Sequence, residues 1–187
     1  MQAKRKLRPG IWVVVLWTTL LFPLPGEGKP SFGILPVTAR PEAMNGLNEP
    51  QQQSLMVQLQ ELLVTQLQVV AVPGKLSREH ILLLLKEVPA PDPEKLSEEA
   101  VRIICRNKNL AWLMKCTVES LQVQKENSRA VIQLLILEGN SGKTFWTKRI
   151  TAVKILPSPF FSEHLLLNEL FKPMLDDAVK EMKTLSL

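Results

Sequence analysis

From Trp112 to Ile155 apolar and polar residues recur in strand-like alternation, and this period of two commits the second half of the chain to a sheet. Trp112, Met114, Cys116 and Val118 alternate with Lys115, Thr117 and Glu119, as a strand with one buried face requires. The apolar parity then moves to Leu121 and Val123, which predicts a bulge or bend near Glu119 and Ser120. Lys125 to Ser128 reads as a turn, and Ala130 to Leu137 (AVIQLLIL) is the most apolar strand, expected at the sheet centre. Gly139 to Lys143 (GNSGK) makes a hairpin in which Asn140 and both glycines can take positive φ. Thr144 to Ile155 then returns as a third antiparallel strand.

The first half is mainly helical in period. Ser31 to Val37 (SFGILPV) is a short β segment with Pro36 near its end, and Thr38 to Pro50 is a loop carrying Pro41, Gly46 and Pro50. Leu55, Leu59, Leu62, Leu63 and Leu67 form the stripe of an amphipathic helix over Gln51 to Gln68 with a glutamine-rich outer face. Val69 to Val72 is a brief strand closed by Pro73 and Gly74. Ser77 caps a helix through His80 to Glu87 that would bury Leu82 to Leu85. After the VPAPDP break, Asp92 and Pro93 start a helix to about Arg106 with Leu96, Ala100, Val101, Ile104 and Cys105 on its apolar face. The C-terminal helix places Leu167, Leu170, Phe171, Met174, Ala178 and Met182 on one side, and Pro173 should kink or divide it. The fold class expected is α/β (α+β): a mixed sheet of about five strands, an antiparallel meander in the second half, and helices packed on it.

Residues 1–28 read as an export signal. Lys4, Arg5, Lys6 and Arg8 precede an uncharged run from Ile11 to Leu24, and Gly26 and Gly28 supply small residues for cleavage. As a helix that run would cover roughly 21 Å, short of the roughly 30 Å hydrocarbon core, and Pro23 and Pro25 interrupt it. The alternative is an uncleaved anchor in the inner membrane, with membrane contact only in that case. The run has no cysteine just after it, the first being Cys105, so a lipid-modified amino terminus is not expected. Removing residues 1–28 takes away four basic side chains and Glu27, so the formal charge falls from +5 to +2. A near-balanced domain over 29–187 gives no electrostatic argument for nucleic-acid binding. Lys143, Lys148, Arg149 and Lys154 read as a solvated strand face.

Motifs for catalysis are weak. Gly139, Gly142, Lys143 and Thr144 have two residues between the glycines where a phosphate loop needs four, and the loop leads into a strand rather than a helix. Ser162, Glu163 and His164 are consecutive and cannot converge as a triad, and no G-x-S-x-G elbow exists. His80 and His164 fit the surface ends of helices, and Asp176 and Asp177 fit the solvated side of the last one. The two cysteines and two histidines lack the close pairing of a zinc site, so neither metal nor cofactor is expected. Export permits a disulfide between Cys105 and Cys116, the other reading being two buried thiols.

The segment LLILEGNSGKTFWTKRI, from Leu134 to Ile150, resembles one shared by bacterial envelope families: an apolar strand ends in an acidic residue, turns through a glycine and resumes with a tryptophan. Glu138, Gly142 and Trp146 hold those places. With the opening ILPV, the long helix, the VVAVP strand and the helix before LAWLMKCTVESLQVQ, the whole mature chain is similar to the α/β domain of the TolB amino-terminal, CsgG and LpoB type. That resemblance implies a domain that binds protein partners and is not an enzyme. The expectation is therefore an exported, non-catalytic accessory or adaptor domain for an envelope protein or assembly. The alternatives are a membrane-tethered structural protein and a periplasmic hydrolase with an unrecognised site.

Overall fold

The computed structural model describes residues 29–86, 95–124, 127–156 and 162–185. The export-signal segment, the VPAPDP break with Asp92 and Pro93, and parts of the expected turns at Lys125–Ser128 and Leu156–Pro159 lie outside the described residues. In chain order the elements are β1 (Ser31–Ile34), β2 (Thr38–Ala39), α1 (Glu49–Leu67), β3 (Val72–Lys75), α2 (Arg78–Leu84), α3 (Glu98–Lys108), β4 (Trp112–Gln122), β5 (Ser128–Glu138) and β6 (Thr144–Lys154). A C-terminal helix follows as α4 (Glu163–Leu166), a π-helical turn (Leu167–Phe171) and α5 (Lys172–Met182).

The strands lie in the order β3-β1-β4-β5-β6, with β2 paired to β4 beyond the end of β1. β1 runs parallel to β3 and β4, β2 runs parallel to β4, and β4, β5 and β6 form the antiparallel meander. The sheet is thus mixed, with six strands where about five were expected. The sixth is β2, two residues inside the segment that reads as a loop. The expected bulge is present, a register shift between Val118 and Ser120 that leaves Glu119 without a partner on β5.

Because successive side chains of a strand point to opposite faces, the sheet serves two cores. Met114, Cys116 and Val118 of β4 and Ile132, Leu134 and Ile136 of β5 face α1 and the C-terminal helix. Leu113 faces the other way, with Leu35 and Leu76, under Ile81, Leu85, Val101, Ile104 and Cys105 of the α2–α3 layer. α1 begins with a capping box in which the Asn48 side chain accepts from the Gln51 N–H and the Gln51 side chain from the Asn48 N–H. Leu55, Leu59, Leu63 and Leu67, spaced by four, are its buried stripe.

Several boundaries differ from the sequence reading, each for a local reason. β3 starts at Val72 because Val70 and Ala71 donate back to the Leu67 carbonyl and prolong the helix end. Pro73 sits within this strand, which its place at the sheet edge permits, since an edge strand can spare an N–H. Of Leu82 to Leu85 only Leu85 is buried, while Leu82 and Leu83 are exposed, because the short α2 turns a single line, Ile81 and Leu85, to the core. Ser97 rather than Asp92 caps α3, its hydroxyl accepting from the Ala100 N–H. Pro173 divides the last helix less sharply than a break would: the preceding turn widens, the Lys172 N–H donating to the Leu167 carbonyl five residues back. The extra residue relieves the ring-to-carbonyl clash of a proline in a regular helix.

In the β5–β6 hairpin only Gly142 adopts positive φ, at 75°, whereas Asn140 and Gly139 do not. A Cβ on Gly142 would lie 2.6 Å from Glu98 Cα and closer still to the Glu98 carbonyl, so the hairpin tip is moulded to the start of α3. Gly142→Ala combines backbone strain with a clash against backbone. It is expected to lower unfolding free energy by about 1–3 kcal/mol, read as a lower urea midpoint at unchanged slope.

Candidate partner interface

β6 ends the sheet, so among the described residues one edge of this eleven-residue strand carries no strand partner. Its inward residues dock it: Trp146 Nε1 donates to Glu181 Oε1 at 3.0 Å, and Lys148 pairs with the same carboxylate. The Lys148 and Trp146 hydrogen bonds hold the Glu181 carboxyl below its usual range. Ile150 and Ala152 pack on the larger core between these polar ties and the strand end. Large apolar side chains remain exposed on β6 and at its end. Phe145 is 45% exposed, Val153 55% and, just past the strand, Ile155 77%. Phe145 leans on Trp112 with ring centroids 4.7 Å apart, and Trp112 in turn stacks on Phe32.

An ion-pair strap runs across β4 and β5. The bulge frees Glu119 from the ladder, and its side chain, 7% exposed, accepts from Arg40 just after β2 and from Arg149 on β6. One carboxylate thereby joins two guanidinium groups that approach from opposite sides of β4 and β5. Beside Arg40 opens a groove of about 440 Å³ bounded by Val37, Ala39, Met44, Met56 and Arg78. Neither Arg40, Glu119 nor Arg78 was singled out as functional from sequence. The signal available was the parity shift at Glu119, which marks a side chain released from the ladder.

The residues that sequence did single out serve the domain itself. Glu138 accepts from the Ser141 hydroxyl, and its carbonyl accepts the Gly142 N–H at 2.7 Å, closing the hairpin. Gly142 fits against α3 and Trp146 is tied to α5, so the three motif residues are not gathered at one point. Ser162 caps α4, Glu163 accepts from Ser54 and Gln58 of α1, and His164 Nε2 lies 3.0 Å from Asn168 Nδ2. Three consecutive side chains therefore have three different partners. The backbone N–H of His80 bonds the Ser77 cap, and Asp177 pairs with Lys180. Among the described residues no three His, Cys, Asp or Glu side chains cluster as metal ligands. The glutamine-rich face of α1 is largely occupied: Gln52 donates to the Met44 and Leu47 carbonyls, Gln53 to Glu49 and Gln58 to Glu163. Gln60, buried, donates to the carbonyls of Ile34 and Leu76.

Cys105 and Cys116 are free thiols, and the disulfide allowed by export is not formed. The reason is topological, since Cys105 lies in the core under α2 and α3 and Cys116 in the core on the opposite face. Burial pushes the Cys105 thiol up to about 11 and the Cys116 thiol up to about 12.

No protein-family model matches the chain, and no curated protein matches it in sequence. Solved structures are similar in fold. The hypothetical protein CT253 from Chlamydia trachomatis is 12% identical with a TM-score of 0.53, over 83% of this chain and 96% of that one. A PelC dodecamer from Paraburkholderia phytofirmans is 9% identical with a TM-score of 0.53, over 83% of this chain and 89% of that one. The LpoB C-terminal domain from Salmonella enterica is 9% identical with a TM-score of 0.40, over 67% and 83%. The α/β fold is thus one that bacterial proteins share, and LpoB, named from the sequence resemblance, is among its structural neighbours.

The thiols set an expected pH response. Both stay protonated in the folded chain, while in the unfolded chain they ionise at about pH 8.5. Their contribution to stability is full below that pH and is lost as pH rises toward 11 and 12. Urea midpoints should fall from pH 8 to pH 10, and a thiol reagent at pH 8 should label both cysteines only in denaturant. Fast labelling of Cys116 in the native state would contradict its burial.

Proposed function

We propose that the protein is an exported, non-catalytic accessory domain that binds a protein partner in the bacterial cell envelope. The observation that carries this reading is the eleven-residue β6 edge, which has no strand partner among the described residues and is flanked by exposed Phe145, Val153 and Ile155. Such an edge offers main-chain hydrogen bonds to an incoming strand, with side chains beside it to select among partners. Ser162, Glu163 and His164, at the start of α4, are each engaged by a different partner within the domain. The resemblance to envelope domains supports the location, and residues 1–28 supply the export signal in this reading. Among the described residues no helix is long and apolar enough to cross a membrane.

A second reading is self-assembly through the same edge. It is favoured by the PelC structure of similar fold, which is a dodecamer.

Crosslinking in envelope fractions of the producing cell, followed by mass spectrometry, tests the proposal. The Val153→Lys/Ile155→Lys variant should lose the crosslinked partner while unfolding free energy changes by no more than about 1 kcal/mol, since both sites are exposed. Retention of every crosslink by that variant would remove β6 from the interface. Light scattering of purified protein separates the second reading, which requires a multimer that the same variant dissolves. Intact mass of the exported form should begin near Lys29, and a mass starting at Met1 would establish a retained anchor.

A further inference from the structure

The opposite side of the sheet carries a second, smaller place for a strand, and its chemistry is more specific. β3 pairs with β1 from Ser31 to Ile34, and the ladder closes with the Leu76 N–H donating to the Ile34 carbonyl. Past that point the chain bends through Leu35, Pro36 and Val37 and resumes as β2, which pairs with β4 alone. The sheet edge therefore has a notch where β3 stops and β2 continues. The groove of about 440 Å³ lies in that notch.

Backbone direction shows what the notch presents. The Arg40 N–H donates to the Val118 carbonyl, so Arg40 faces β4. Alternation along an extended strand then turns the N–H and C=O of Ala39 to the other edge, into the groove. Among the described residues no strand covers that edge. The walls combine Met44 and Met56, pliable apolar side chains, with Pro36 and Pro41. The groove holds two guanidinium groups, Arg40 and Arg78, against one carboxylate, Glu42. Arg40 already shares Glu119 with Arg149, an arrangement of two cations on one anion.

We infer that the notch beside β2 binds an extended peptide segment of a partner protein, paired in line with β3 through the Ala39 backbone and bearing a carboxylate for Arg78 and Arg40. The inference rests on the protein-binding reading and specifies partner chemistry at a site separate from β6. Acidic rather than basic segments follow from the charge of the lining, and an extended rather than helical segment from the open backbone edge.

The test uses two synthetic probes, acetyl-Glu-Val-Thr-Val-Glu-amide and acetyl-Lys-Val-Thr-Val-Lys-amide, titrated into nitrogen-15-labelled protein (residues 29–187) and followed by NMR. The acidic peptide should bind saturably, shift the Ala39 amide resonance, and bind at least about tenfold more tightly than the lysine peptide, the scale of one charge-assisted hydrogen bond. Ala39→Pro removes the N–H that faces the groove and leaves the Arg40 and Val118 pairing in place. Arg78→Glu reverses an exposed charge. Each should weaken the acidic peptide about tenfold with the rest of the spectrum preserved. Equal binding of both peptides, an unmoved Ala39 amide, or full affinity in both variants overturns the inference. So does concentration-dependent self-association that Ala39→Pro abolishes, since the notch would then hold a second copy. If the β6 variant loses its crosslinked partner while Ala39→Pro keeps it and no peptide binds, the notch fails and the protein-binding reading stands.

Discussion

The fold depends on β4 being paired along both of its edges. β1 and then β2 satisfy one edge and β5 the other, and its side chains enter a different core on each face. A buried strand in that position cannot leave backbone groups unbonded without a cost of about 1–3 kcal/mol for each. The rest of the architecture supplies what β4 requires. Pro36 takes the chain out of the β1 ladder, and β2 restores pairing to the second half of the strand. Beyond β2 the Leu121 N–H is met by the Ala43 carbonyl of the connecting loop. Two helical layers are needed because two faces are apolar.

Much of this was legible as periodicity. The alternation from Trp112, the parity shift at Glu119 and the four-residue leucine spacing of α1 each report a local geometry that side-chain burial imposes. β2 was not legible, because two residues between prolines carry no period; the strand exists through what β4 needs from it. β3 was misplaced by its most apolar residues, since Val70 and Ala71 finish a helix and the strand uses Pro73 and Gly74 at a tolerant edge. The candidate interface was less legible than the fold. Arg40, Glu119 and Arg149 are far apart in sequence, and charges on half-buried strands look alike whether they are solvated or bridged. Only the shift at Glu119 hinted that one of them leaves the ladder.

The polar residues of the helices show how a conspicuous composition can be structural. The glutamines of α1 cap its start, hold the preceding loop, tie α1 to α4 and satisfy two carbonyls at the junction of β1 and β3. Amide groups suit these tasks because they donate without the cost of burying a charge. The same economy governs the cysteines, which behave as small apolar side chains in separate cores.

Glu119 belongs to both margins of the sheet at once, since Arg40 borders one and Arg149 is part of the other. A shared counter-ion makes those margins thermodynamically dependent. Any anion that draws Arg40 outward leaves Glu119 wholly to Arg149 and tightens the hold on β6, whereas an anion taking Arg149 returns Glu119 to Arg40. By reciprocity each event changes the affinity of the other by the same factor. The sheet thus carries a lateral electrostatic linkage through one carboxylate and two guanidinium groups.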